Sequence, residues 1–197
     1  MSEKAVLLEK KEGIATVTLN RPEAMNSMNK ELVADLIAAL EQVREDKDVR
    51  AVVITGKGKA FSAGGDLFYL VSLTDPVDAH NFIKQAGKMV SLIMGMEKPV
   101  IAMVNGVAAG AGFNLALACD IVICAKSARF AQSFAKVGLV PDCGGSYLLP
   151  RVIGTHRAKG LMFTGDLIDA DTAFAFGIAN SVVDDAALAE TVYKYAA

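Results

Sequence analysis

The sequence is poor in the residues that build metal centres and disulfides: three cysteines (Cys119, Cys124, Cys143) and two histidines (His80, His156) in 197 residues. None falls in a CxxC or HxxxH arrangement, so no zinc site or disulfide framework is readable and no metal is expected. That usage fits a reduced, cytoplasmic protein. An excess of charge of one sign is missing too. With 20 Lys+Arg against 22 Asp+Glu the net charge is −2, which gives no electrostatic case for a nucleic-acid partner. Long polar tracts are absent, and 53% hydrophobic with 21% charged residues describes a folded chain rather than a disordered one. The apolar run near the N-terminus is too short and too closely flanked by charge for a signal-peptide core. One uncharged stretch, Val100 to Cys119, has about the 20 residues a membrane span needs. Asn105, Gly106, Gly110, Gly112 and Asn114 interrupt it. It reads instead as a buried strand, a glycine turn and a small-residue helix, and no membrane partner is expected.

What is present is a recurring order of short β-rich runs, each followed by a turn or a helix. The runs are Ala5 to Glu9, Ile14 to Leu19, Ala51 to Thr55, Val100 to Val104, Ile121 to Cys124 and Ser181 to Val183. The second alternates, as a half-buried strand does; the third and fourth are continuously apolar, as strands covered on both faces are. From Lys30 to Arg44 the apolar positions Leu32, Val33, Leu36, Ile37, Leu40 and Val43 fall on one stripe, predicting a helix with Asn29 as its N-cap. A second helix is predicted from Asp78 to Met96, ending ahead of Lys98-Pro99. Shorter helices are predicted near Gly112 to Ala118, Thr155 to Phe163, Ala170 to Phe176 and Ala186 to Tyr195. No linker, low-complexity tract or repeat divides the chain, so a single α/β domain is expected.

Two segments place glycines where a strand hands over to a helix: Lys59 to Leu67, containing Ala63-Gly64-Gly65-Asp66, and Asn105 to Gly112, containing Ala109-Gly110-Ala111. Glycine permits positive φ and close approach, and the first N–H groups of a helix have no internal partner, so each segment can donate to an anion or a polarised carbonyl. Two such donors make an oxyanion hole. The alternative is a pair of ordinary tight turns. Other readings fail on spacing: Gly56-Lys57-Gly58-Lys59 is not a phosphate loop, and Gly110-Ala111-Gly112 lacks the third glycine of a dinucleotide fingerprint. There is no GxSxG elbow, and Cys143 has no histidine near it in sequence, so a buried, neutral thiol is expected there.

Taken together, Asn20-Arg21-Pro22 with Met25-Asn26-Ser27-Met28, then KAFSAGGDL, KPVIAMVNGVAAGAG, FAQSFAKVGLVPDCGGSYLLPR and the Phe163-Thr164-Gly165 turn make the chain resemble the crotonase, or enoyl-CoA hydratase/isomerase, superfamily. The resemblance covers essentially all of the sequence. It implies a crotonase-type spiral of ββα turns, assembly as a homotrimer or dimer of trimers, and an acyl-CoA small-molecule substrate. Coenzyme A then enters as part of the substrate thioester, and no permanently bound cofactor is implied. The matched oxyanion donors are the N–H groups of Gly65 and Ala111. Ala63, Asp66 and Leu67 match the place where the adenine end of CoA packs, and Ala24 and Met25 the place where its bent chain passes. Asp66 can equally be a plain helix N-cap. Residues 1–185 correspond to the core and 186–197 to the start of a C-terminal helical, trimer-forming region. Relatives usually continue past this point, so the chain is read as ending in mid-helix with the family's last helices missing.

Hydratases of this family use two glutamates, and at the matching positions this sequence has Asn114 and Phe134, neither of which can act as a general base. Both are assigned to the substrate site, Phe134 either as core or as a water-excluding wall. The remaining acidic residue of the region is Asp142, at the place where family isomerases carry their single carboxylate; otherwise it is a cap or turn residue. The segment Ala135 to Arg151 looks especially like the epoxyphenylacetyl-CoA isomerases and the enoyl-CoA isomerases. Double-bond or ring isomerisation of a CoA thioester, with Asp142 as catalytic residue, is therefore expected. The alternatives are a hydratase with an atypical base and a catalytically inactive CoA-thioester-binding homologue. His156 is expected on the solvated surface.

Overall fold

The computed structural model describes residues 4–197. The chain opens with the antiparallel hairpin β1 (Val6–Lys11) and β2 (Ile14–Leu19). Its two-residue link, Glu12-Gly13, takes positive φ at both positions (53° and 82°), as a type I′ turn requires. In β2 Ala15, Val17 and Leu19 are fully buried while their neighbours are not, the expected alternation. Helix α1 (Lys30–Glu45) follows, its first turn capped by Asn29, whose side chain accepts from the Leu32 N–H. The expected stripe faces inward, with Ala39 added to it.

From there the chain repeats one move. A strand of a large sheet is followed within a few residues by a three-residue strand of a small sheet, and then by helix. The first turn is β3 (Ala51–Gly56), β4 (Ala60–Ser62), α2 (Leu67–Ser72) and α3 (Pro76–Met94). The second is β5 (Val100–Val104), β6 (Val107–Ala109) and α4 (Ala111–Ala118). The third is β7 (Ile121–Ala125) and β8 (Arg129–Ala131), with a 3-10 turn at Ser133–Val137 in place of a full helix. After these come α5 (Gly145–Ile153), α6 (Thr155–Thr164), β9 (Leu167–Asp169), α7 (Ala170–Ala175), β10 (Ser181–Val183) and α8 (Leu188–Ala196). The large sheet runs β1-β2-β3-β5-β7-β10, parallel from β2 onward, and the small sheet runs β4-β6-β8-β9. This is the mixed α/β spiral that the resemblance implies.

Strands β3 and β5 are buried throughout because helices cover both faces of the large sheet. Val52 and Ile54 point into the main core with α1 and α3. Val53, Ile101, Met103 and Ile123 point the other way, onto Leu188 and Val192 of α8. The segment 186–197 thus lies against the sheet as α8, preceded by a 3-10 turn at Asp185–Ala187. Helix α3 starts earlier than predicted, at Pro76, because the Asp75 side chain caps it by accepting from the Val77 N–H. It stops two residues sooner, at Met94, with Gly95 as its C-cap. Helix α4 begins at Ala111 rather than Gly112, so the Ala111 N–H is that of the first helical residue. Among the described residues no helix is long and apolar enough to cross a membrane.

Candidate active site

Strands β4, β6 and β8 are parallel neighbours, so the segments leaving their C-terminal ends emerge side by side. These are Ala63–Leu67, Gly110–Ala111 and Gln132–Phe134. The first two touch, and glycine is what lets them. Gly64 sits at φ +94°, where a Cβ would lie 2.7 Å from the Ala109 carbonyl oxygen and 3.2 Å from the Ala111 nitrogen. A Cβ on Gly112 would lie 2.4 Å from the Ser62 carbonyl oxygen. The loop before α1 fixes the first segment through the bridge between Met28 and Gly65: the Met28 N–H donates to Gly64 O (2.7 Å) and the Asp66 N–H to Met28 O (3.0 Å). Those bonds use the groups flanking Gly65, so its own N–H is directed to the opposite side. Ala111 is the first residue of α4, where an N–H has no intrahelical partner. Two backbone donors from two adjoining segments are thereby left for a ligand.

Both residues line one small cavity of about 90 Å³, together with Ala63, Leu67, Leu70, Gly110, Ser133, Phe134, Val137, Leu139 and Asp142. Asp142 is the one carboxylate of that lining. One of its oxygens, Oδ1, is buried without a hydrogen-bond partner. Burial pushes its carboxyl above the ordinary carboxylate range, and a hydrogen bond from the adjacent Cys143 thiol offsets only part of that. The Cys143 thiol is itself pushed up, by burial and then by the Asp142 charge, and stays protonated. A proton-accepting group of raised pKa beside two free N–H donors is the set that carbanion chemistry next to a carbonyl needs. A larger hollow, about 520 Å³, lies between α1, α2 and α3 beside Val33, Ile37, Tyr69 and Phe82. It contains none of the sequence-predicted site residues.

The enoyl-CoA hydratase/isomerase family profile matches residues 9–197. The chain belongs to this family. It is 45% identical over 194 residues to the 1,2-epoxyphenylacetyl-CoA isomerase of Escherichia coli K12, covering 97% of this chain and 74% of that one. It is 41% identical over 197 residues to the crotonyl-CoA hydratase of Syntrophomonas wolfei, covering 100% and 75%. The crystal structure of a probable enoyl-CoA hydratase/isomerase from Mycobacterium abscessus superposes with a TM-score of 0.90 at 40% identity, over 98% of this chain and 74% of that one. Similarity therefore extends to isomerases and hydratases alike.

Of the residues that the family resemblance selects, Ala63, Gly65, Leu67, Ala111, Phe134 and Asp142 meet in the cavity. Four others lie outside its lining. Asp66 caps α2, accepting from the Tyr69 N–H (3.2 Å), and pairs with Arg21 at 3.0 Å. Burial alone would raise its carboxyl, but the Arg21 guanidinium and the Tyr69 N–H outweigh that and hold it below the usual range. Ala24 closes a 3-10 turn, Pro22–Ala24, and Met25 follows in the left-handed region at φ 52°, its carbonyl accepting from the Ala63 N–H (2.9 Å). Asn114 is fully buried behind the cavity. Leu70, Ser133, Val137 and Leu139 line the cavity beyond the sequence-predicted residues, as does Gly110 of the second glycine segment. Leu70 was recoverable, since it lies one helical turn beyond Leu67 on the same face of α2. His156 is exposed at the start of α6. Among the described residues no cluster of His, Cys, Asp or Glu is arranged to hold a metal.

Proposed function

We propose that this family member isomerises a CoA thioester through an enolate, with Asp142 as the acid/base and the N–H groups of Gly65 and Ala111 as the oxyanion hole. The observation that carries the reading is the cavity lining: two unengaged backbone donors and a single carboxylate. With the carbonyl oxygen of a 3-enoyl thioester between the donors, ionised Asp142 takes a proton from C2. The electron pair moves onto the thioester oxygen, giving a dienolate whose charge the two N–H groups hold. The same carboxyl then returns the proton at C4, and the double bond has moved from C3–C4 to C2–C3. One carboxyl suffices, and no water is consumed. Leu67, Leu70, Phe134, Val137 and Leu139 keep water from the dienolate. In this reading the CoA chain passes Ala24 and Met25, and its adenine end lies against Ala63, Asp66 and Leu67.

Hydration would need a second group to orient and deprotonate water, and the two candidate positions hold Asn114, which is buried behind the cavity, and Phe134, which has no proton to exchange. The 41% identity to a crotonyl-CoA hydratase favours, as the second reading, a hydratase with an atypical base. A panel of 3-enoyl, 2-enoyl and ring-epoxide CoA thioesters in coupled assays separates them. The isomerase reading expects conversion of a 3-enoyl or ring-epoxide thioester at least about 10²-fold faster than hydration of the 2-enoyl thioester, the least that a missing acid/base group costs. Faster hydration overturns it, and binding without conversion of any of the three would mean an inactive homologue.

A further inference from the structure

Asn114 occupies the position of a family glutamate, yet its side chain is engaged away from the cavity in a buried relay. Its Nδ2 donates to the backbone carbonyl of Asp142 (2.8 Å), and its Oδ1 accepts from Gln132 Nε2 (2.7 Å). Both Asn114 and Gln132 are completely buried. The Asp142 carbonyl can only accept, so it turns the Asn114 amide with Nδ2 toward itself, and Asn114 Oδ1 then orients the Gln132 amide, whose own Oε1 is buried without a partner. The contact is close because residue 145 is glycine: a Cβ there would lie 2.3 Å from Asn114 Nδ2. The same Asp142 carbonyl also accepts from the Gly145 N–H (2.8 Å).

The Asp142 loop needs such a hold. Its carboxyl has a buried oxygen without a partner, and the next two residues, Cys143 and Gly144, take left-handed φ values of 45° and 75°. A non-glycine residue there and a desolvated carboxylate both disfavour this loop conformation, which persists only where surrounding contacts over-determine it. Asn114 also lies on α4 one turn after Ala111, so a fixed stretch of helix separates it from the Ala111 N–H at the helix start. One helical turn and one hydrogen bond therefore set the spacing between the oxyanion donor and the carboxylate. We infer that Asn114, hydrogen-bonded to Gln132, is the positioning residue that holds Asp142 in register with the Ala111 end of the oxyanion hole. The inference rests on the reading of Asp142 as the acid/base.

The test uses two apolar near-isosteres. Asn114→Leu removes both bonds but strands the Gln132 amide in the interior, so some destabilisation is expected. Asn114→Leu with Gln132→Met replaces both partners by groups of similar shape, leaves neither side chain orphaned, and should melt above the single variant. Both are expected to lower kcat for 3-enoyl-CoA isomerisation by about 10–100-fold, the cost of a displacement of about 1 Å, with KM changed less than about threefold. The loss persists in the double variant despite its recovered stability. Recovery of kcat along with stability would show a merely structural role and overturn the inference, as would a loss confined to KM. Asp142→Asn in the same assay keeps the two claims apart. If it is inactive while both Asn114 variants turn over normally, the positioning role fails alone; if it stays active, the assignment of Asp142 fails.

Discussion

At the scale of the residue, the burial that suits Asp142 to the proposed acid/base role works against stability. Its carboxyl is held above the ordinary range by burial, so the native state keeps that proton to higher pH than the unfolded chain does. Between the two pKa values the native state binds more protons, and its stability falls as pH rises across that window. Above the window the cost remains; below the unfolded value, about pH 4, it disappears. Asp142→Asn removes the ionisable group, and the amide fills the same space. The variant is expected to melt above the wild type at pH 7, with the difference closing as pH is lowered toward about 4, in thermal unfolding followed by circular dichroism. A variant that melts below the wild type at pH 7 would mean the carboxylate is satisfied in the fold. Asp66 shows the opposite sign: with its carboxyl held low by Arg21 and Tyr69, its contribution is present above the unfolded pKa and is lost as pH falls through the folded one.

Among elements, α4 matters most, because its first N–H is the proposed oxyanion donor whose loss can be engineered with least harm to the fold. Proline is well tolerated at the first helical position, where the N–H has no helical partner. Ala111→Pro is thus expected to leave the helix in place and reduce turnover by about 10²–10³-fold, while Ala111→Gly, which keeps the N–H, costs far less. Steady-state rates on one thioester decide it, and equal losses in the two variants would assign the effect to packing instead. The long elements were legible in advance: the stripe of α1, the alternation of β2 and the continuous apolar runs of β3 and β5 are properties of local sequence. Strands β4, β6, β8 and β9 were not, because three residues are too few to show a period of two, and these strands exist only by pairing with one another. The same division runs through the site. That Gly65, Ala111 and Asp142 belong to one proposed site could be read from glycine placement and family motif, and the three do line one cavity. That Asn114 turns behind the cavity to grip the Asp142 carbonyl depends on the rotation of α4 against the Gly145 turn, which no local pattern encodes.

Over the whole molecule, the site is a consequence of the spiral. Each turn sends one strand to the large sheet and the next to the small one, so the exits of β4, β6 and β8 are stacked at one edge of the small sheet. One exit supplies Gly65, the next Ala111, and the third Ser133 and Phe134; the loop to α5 then brings Asp142 across them. Residues from 63 to 142 meet in a cavity of about 90 Å³ because the sheet registers align them. In the proposed mechanism this cavity carries proton transfer at C2 through Asp142, and proton exchange reports that step even when net isomerisation is slow. The decisive measurement is NMR of a 3-enoyl-CoA incubated with enzyme in D₂O, comparing the wild type with Asp142→Asn at matched thioester occupancy. Deuterium is expected at C2 and C4 with the wild type, and none above the uncatalysed background with the variant, although the variant binds the thioester as well. Wash-in that continues unchanged in Asp142→Asn would contradict the proposed mechanism.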